Sequence, residues 1–217
     1  MKNNWKKLFL LVLCGIVFSA LSTGIIYRFF PQYLCYAIYA VSKGNAYQSE
    51  EKEMVPGTSL TEYFSPQNRY LAGVSIGVKR EENDNAVTGR LLDEQGKVMA
   101  ESQFTLKDVD YTFEFHEWVK PGQHYILEIL FPESNQSTIM MVFSSEDSGT
   151  DEHIGSYIDG NPSGEEPYVE FIYGTYSRKL LAFWFIVLFV GGFMIGETVL
   201  YKLTIRGSSE TQKREGI

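Results

Sequence analysis

The chain has 217 residues, 44% of them hydrophobic, and its 27 acidic against 19 basic side chains give a net charge of −8. That balance excludes a nucleic-acid binder working by phosphate neutralisation, which needs an excess of lysine and arginine. Two cysteines and three histidines, with no histidine near a cysteine, leave no zinc pattern.

An unremarkable mean hydropathy of −0.13 hides a sharp partition. Residues 1–7 carry Lys2, Lys6 and Lys7 and no acid. A charge-free run follows, and about 20 residues rising ~1.5 Å each cover a ~30 Å hydrocarbon core, which predicts a transmembrane helix over 8–28. Ala20-Leu21-Ser22 offers a signal-peptide spacing, but the apolar run continues through Ile25, Ile26 and Tyr27, so an uncleaved anchor is the preferred reading. Leu11-Val12-Leu13-Cys14 is a poor lipidation signal, because a large residue precedes the cysteine and the apolar run goes on after it. Cys14 reads as a lipid-facing or helix-packing residue. Cys35 lies roughly 30 Å further along a helix and cannot pair with it.

Residues 29–57 open with Phe29-Phe30-Pro31 and the group Tyr33, Leu34, Tyr36, Ile38 and Tyr39. This group is too short to cross again and reads as an interfacial belt or a short helix lying at the surface. Ser42 to Gly57 is polar and ends in Pro-Gly, a linker signal.

From 58 to 175 the pattern is β, without a sustained 3.6-residue period. Tyr70 to Val78 alternates large and small, with Leu71 off phase. Val87–Leu92 and Gly96–Phe104 flank Asp93-Glu94-Gln95-Gly96, where glycine takes the left-handed position of a hairpin turn. Tyr111, Phe113 and Phe115 share one parity, as do Tyr125, Leu127, Ile129 and Phe131. This predicts a hairpin through Val119-Lys120-Pro121-Gly122 with Phe115 facing Tyr125 and Phe113 facing Leu127. In that register His116 and His124 become outward neighbours beside Glu114. They are then a candidate weak metal or pH-sensitive spot, or more plainly two exposed polar residues. Strands at 137–144, 154–158 and 168–173 bring the total to eight or nine, at the spacing of an antiparallel sandwich.

Residues 179–201 form a second predicted span, with Glu197 near enough to its far end to snorkel. Gly192-Phe193-Met194-Ile195-Gly196 is a G-x-x-x-G, which lets two helices approach closely. Gly192 and Gly196 are therefore candidate packing residues, against the first span or a larger membrane protein. The tail 202–217 carries Lys202, Arg206, Lys213 and Arg214 against Glu210 and Glu215. Basic flanks at both ends place both termini in the cytoplasm, against the weaker counter-signal of Arg28, Arg178 and Lys179. Residues 31–178 then lie outside, and residues 31–177, with 24 acidic and 9 basic side chains, hold the acidity of the whole protein. That acidity reads as solubility in preference to cation binding, and it repels anionic headgroups.

Little in the chain points to covalent chemistry. G-x-S-x-G and glycine-rich phosphate loops are absent. The carboxylate pairs Glu81-Glu82, Asp93-Glu94 and Glu165-Glu166 read as solvated turn residues. No catalytic residue, cofactor or metal ligand is assigned. Trp118, off the core parity, is a candidate glycan contact through its ring face, or else a cap on the end of the sandwich.

Tyr70-Leu-Ala-Gly-Val-Ser-Ile-Gly-Val, Gly89-Arg-Leu-Leu-Asp-Glu-Gln-Gly-Lys-Val, Phe104-Thr-Leu-Lys-Asp-Val-Asp-Tyr-Thr-Phe-Glu-Phe and Gly122-Gln-His-Tyr-Ile-Leu-Glu-Ile follow in that order. This succession resembles jelly-roll domains of the carbohydrate-binding-module type. Such domains occur outside the membrane in Gram-positive cell-envelope proteins, including multi-span proteins linked to surface-glycan and teichoic-acid assembly. Tyr157-Ile-Asp-Gly and Tyr168-Val-Glu-Phe-Ile-Tyr are similar to their closing strands. The resemblance covers roughly residues 58–175 and rests on core and turn positions, so it implies a fold more than an activity.

The expectation is a two-pass membrane protein with an extracellular antiparallel jelly-roll β-sandwich between two transmembrane helices. Its expected role is a non-enzymatic accessory or glycan-binding protein assisting surface polysaccharide or teichoic-acid assembly. The alternatives are a structural subunit packed against a larger membrane enzyme, or a receptor signalling through a partner. The expected partners are the lipid bilayer, an envelope glycan and a larger membrane protein.

Overall fold

The computed structural model describes residues 2–42, 49–79, 84–108, 110–144 and 153–214. The chain divides into two compact units, Met1–Leu34 with Ser177–Ile217, and Cys35–Tyr176. The first unit holds α1 (Lys2–Phe29) and α2 (Arg178–Arg214). Each contains a stretch long and apolar enough to cross a membrane, Lys7–Phe29 and Arg178–Val199. Their outer surfaces are apolar too, with Phe9, Leu21, Ile186 and Met194 all exposed. Water would penalise such a surface and hydrocarbon would not. After α1, Pro31–Leu34 makes a single 3₁₀ turn. Pro31 has no N–H with which to continue the helix.

The second unit is mainly β. In chain order it contains β1 (Cys35–Ser42), β2 (Ser49–Met54), β3 (Ser59–Phe64), β4 (Tyr70–Ile76) and β5 (Ala86–Asp93). Then come β6 (Val98–Thr105), β7 (Thr112–Trp118), β8 (Tyr125–Leu130) and β9 (Ile139–Ser144). The chain finishes with β10 (His153–Ile158), the short β11 (Asn161–Pro162) and β12 (Glu166–Pro167), and β13 (Val169–Tyr176). All pairings are antiparallel, in three sheets ordered β1-β13-β4-β7, β11-β10-β3-β8-β5-β6 and β12-β9-β2.

Alternation explains the core. In β3, Leu60 and Phe64 point inward; in β8, Tyr125, Leu127 and Ile129 do; in β13, Val169, Phe171 and Tyr173 do, all buried. The first two sheets meet through rings, Phe64 on Phe171 at 4.5 Å and Phe104 on Phe113 at 4.9 Å between centroids. Such pairs contribute about 0.5–1.5 kcal/mol beyond their area burial.

The β5–β6 hairpin forms with the expected turn. Gly96 has φ +78° and donates its N–H to the Asp93 carbonyl, while Asp93 Oδ1 accepts the N–H groups of Gln95 and Lys97. This local bonding explains why Asp begins the turn and Gly ends it.

Two expectations are corrected. Within 29–57, the stretch read as an interfacial segment followed by a linker, two pieces are strands of the β unit. Cys35–Ser42 is an edge strand on β13, and Ser49–Met54 pairs with β9. A β-branched and aromatic run supplies β1, which pairs along one side only as the edge of its sheet. Residues 43–48 of that stretch lie outside the described residues.

The second correction concerns β7 and β8, which do not pair with each other. β7 lies on β4 and β8 lies between β3 and β5, in a different sheet. The connection turns a corner, with Val119 N–H bonded to the Arg69 carbonyl and Lys120 N–H to the Tyr125 hydroxyl. Both strands still bury one parity, because a hairpin and a corner leave the same alternation in the chain.

Candidate functional site

Within the helix unit, α1 turns a stripe of small residues inward. Gly15, Ser19 and Thr23 are buried while Ile16, Val17 and Leu21 beside them are exposed. The fit with α2 is reciprocal. A Cβ on Gly15 would stand 3.0 Å from the Phe189 ring, one on Gly192 2.9 Å from the Phe18 ring, and one on Gly196 3.0 Å from Leu11. Ser19 Oγ donates to the Phe185 carbonyl at 2.5 Å. The glycines of the G-x-x-x-G are thus placed against α1 of the same chain. The stripe on α1 escaped the reading by motif, although its four-residue spacing is a small-residue signal of the same kind.

In the β unit, Trp118 ends β7 opposite Tyr70, the first residue of β4. It is half-buried, packed 5.6 Å from the Tyr70 ring and edge-on to Tyr176 at 5.5 Å. Tyr70 is fully buried yet lies outside the main apolar core. Its ring fills the place where a side chain on residue 174 would stand, which is why that residue is glycine, and Cys35 Sγ stands 2.8 Å from the same point.

His116 stacks on Tyr70 at 6.3 Å, with Nδ1 2.8 Å from the Tyr70 hydroxyl. The register slips here. Leu71 pairs with Glu117 and Gly73 with Glu114, so Phe115 and His116 together face Ala72. His116 takes up the extra residue with φ +53°. A second slip between Ile172 and Tyr173 on β13 lies beside the same point, and together they account for the off-phase Leu71.

Electrostatics at this cluster follow from burial. Burial raises the Cys35 thiol to about 11. It also raises the Tyr70 hydroxyl above the ordinary tyrosine range, with Cys35 and Glu114 adding to the effect. Both groups are therefore neutral near pH 7. Glu114 Oε2 lies 3.6 Å from His116 Nε2 at the exposed rim. The arrangement is an aromatic floor with a histidine and a carboxylate at its edge. That combination suits ring stacking and hydrogen bonding.

The expected His116–His124 neighbourhood does not form, because His124 leads into β8 of the other sheet and is exposed. Among the described residues, no three His, Cys, Asp or Glu side chains converge as a metal set. Of the carboxylate pairs, Asp93 organises its turn, Glu165 pairs with Lys52 at 2.8 Å, and Glu81-Glu82 lies outside the described residues. One carboxylate was missed. Glu62, between Leu60 and Phe64 on their inward parity, is 1% exposed and accepts the Ser156 hydroxyl at 2.5 Å. Its place in the alternation was the available signal.

No family model matches the chain, and no curated protein matches it. Among solved structures it is similar to the T=1 particles derived from infectious bursal virus, at 16% identity and a TM-score of 0.26 over 65% of this chain and 36% of that one. It is also similar to infectious bursal disease virus of the Gx strain, at 11% identity and a TM-score of 0.25 over 65% and 37%. The chain spans little more than a third of the length of these structures. Likeness at such TM-scores carries no argument about fold or role.

Proposed function

We propose that this chain is a two-pass membrane protein with both termini in the cytoplasm. Its β unit stands outside as a non-enzymatic accessory or glycan-binding module in surface polysaccharide or teichoic-acid assembly. The observation that carries the reading is an acidic, mainly β unit joined at both ends to helices that are apolar over a span's length and apolar on their outer surfaces. The basic flanks of the chain favour the stated orientation.

A jelly-roll description is supported by nested pairing. β3 joins β8, β4 joins β7 and β5 joins β6, alternating between the two sheets. Wrapping of this kind is how a jelly roll is built from Greek keys. Glycan contact is assigned to Trp118 with His116 and Glu114 at its rim, because a half-exposed indole offers a face to sugar C–H groups.

Orientation is tested by cysteine labelling in intact cells on a background with Cys14 and Cys35 replaced by serine. Glu94→Cys should react with an impermeant maleimide, and Lys202→Cys should react only after permeabilisation. The reverse pattern overturns the orientation. Glycan binding is tested by titrating the full chain in detergent with purified envelope polymers. Trp118→Ala should weaken any binding about tenfold, the scale of one lost aromatic contact. Binding to no polymer overturns the glycan role and leaves the accessory one.

A further inference from the structure

The interlocked part of the helix pair gives way to a groove near the C-terminal end of α1 and the N-terminal end of α2. It has a volume of about 680 Å³ and is lined by Ala20, Thr23, Gly24, Tyr27, Phe185 and Arg178, among others. That volume lies within the range of pockets that bury a small ligand. Nothing lies within 4 Å of where a Cβ on Gly24 would stand, so this wall is open. Thr23 is 7% exposed, and its hydroxyl has no hydrogen-bond partner among the described residues.

The mouth of the groove is cationic. Arg178 and Lys179 open α2, whose first turn contains no acidic residue. Two cations at the positive end of a helix dipole are unfavourable by themselves and favourable around a bound anion. Arg178 is exposed, and no carboxylate is paired with it among the described residues. These residues also oppose the charge asymmetry that orients the chain, so their position needs another cause.

We infer that the groove holds one acyl chain of an anionic glycerophospholipid whose phosphate is bound by Arg178. The apolar walls take the chain, and the planar guanidinium takes two phosphate oxygens at once. Tyr27, an aromatic residue of the kind found at the headgroup level, lines the same end of the groove. The inference rests on the membrane reading above.

The test is native mass spectrometry of the full chain in mild detergent, titrated with phosphatidylglycerol or with phosphatidylcholine of the same acyl length. One phosphatidylglycerol should be retained per chain, in preference to phosphatidylcholine. Arg178→Gln should lower its retention about tenfold, the scale of a lost charge-assisted contact. Gly24→Leu, which fills the groove from its open side, should reduce both lipids with an unchanged melting temperature. Lys202→Gln, remote from the groove, should change nothing. Equal retention of the two lipids by the native chain, or an unaffected Arg178→Gln variant, overturns the inference. Cell fractionation separates the two failures. A chain in the soluble fraction defeats the membrane reading and this one with it, whereas a membrane-bound chain without lipid preference defeats only this one.

Discussion

The ring of Phe113 in β7 lies against the backbone of Gly89 in β5, its nearest atom 2.5 Å from where a Cβ would stand. The two strands belong to different sheets, so this contact sets how closely the sheets approach. Phe113 cannot retreat, because Phe104 and Phe115 hold it at 4.9 and 6.2 Å. Gly89→Ala should therefore cost about 1–3 kcal/mol by overpacking. Gly96→Ala meets open space and should cost about 1–2 kcal/mol from its left-handed backbone alone. Gly96→Asn should recover most of that loss while Gly89→Asn recovers none. Urea denaturation of the four variants in detergent distinguishes crowding from backbone strain.

His116 offers the opposite balance. Its φ of +53° disfavours any side chain, yet its imidazole bonds the buried Tyr70 hydroxyl. His116→Ala loses the bond and keeps the strain, whereas His116→Gly loses the bond and releases the strain. The glycine variant should be the more stable of the two by about 1 kcal/mol. Equal stability would mean that the register slip does not hold this residue left-handed in solution.

Cys35 makes the β unit sensitive to alkali. Its thiol is raised by burial to about 11, above the ordinary value near 9. The folded state therefore binds this proton more tightly than the unfolded state does. The stability tied to it is complete below about pH 9 and is lost as pH rises towards 11. Thermal melts across that window should show a decline that is smaller in Cys35→Ser. Alkylation of Cys35 by iodoacetamide at pH 8 should be slow in the native chain and rapid in urea.

The helix pair should separate by degrees. Ser19→Ala removes one interhelical hydrogen bond and should cost about 0.6 kcal/mol, the usual scale for such a bond between apolar helices. Gly192→Leu drives a side chain into Phe18 and should lower the melting temperature in detergent much further. Met194→Leu, on the exposed face of α2, is the control and should leave it unchanged.

Much of this architecture is decided locally and could be read in advance. A charge-free run of about 20 residues permits little but an apolar helix. Strict alternation assigned Phe113, Phe115, Tyr125, Leu127 and Ile129 to the core whatever their strands pair with. Asp93 and Gly96 encode their turn through bonds within five residues. Partnership is different, because it depends on groups far apart in the chain. Whether β7 turns back on β8 or crosses to β4 leaves the same pattern of apolar residues, and only the assembled sheets choose. β1 and β2 were hidden because an exposed edge strand need not alternate and a short polar strand such as SEEKEM resembles a linker. The cluster of Cys35, Tyr70, His116, Trp118 and Tyr176 was illegible for the same reason, since its members come from four strands. By itself, then, the sequence determined the helices, the parity of the core and the β5–β6 turn, all set by interactions of short range. Tertiary structure decided which strands are neighbours, which face Trp118 shares, and that Gly192 and Gly196 receive side chains from α1, because each of these needs shape complementarity between distant segments.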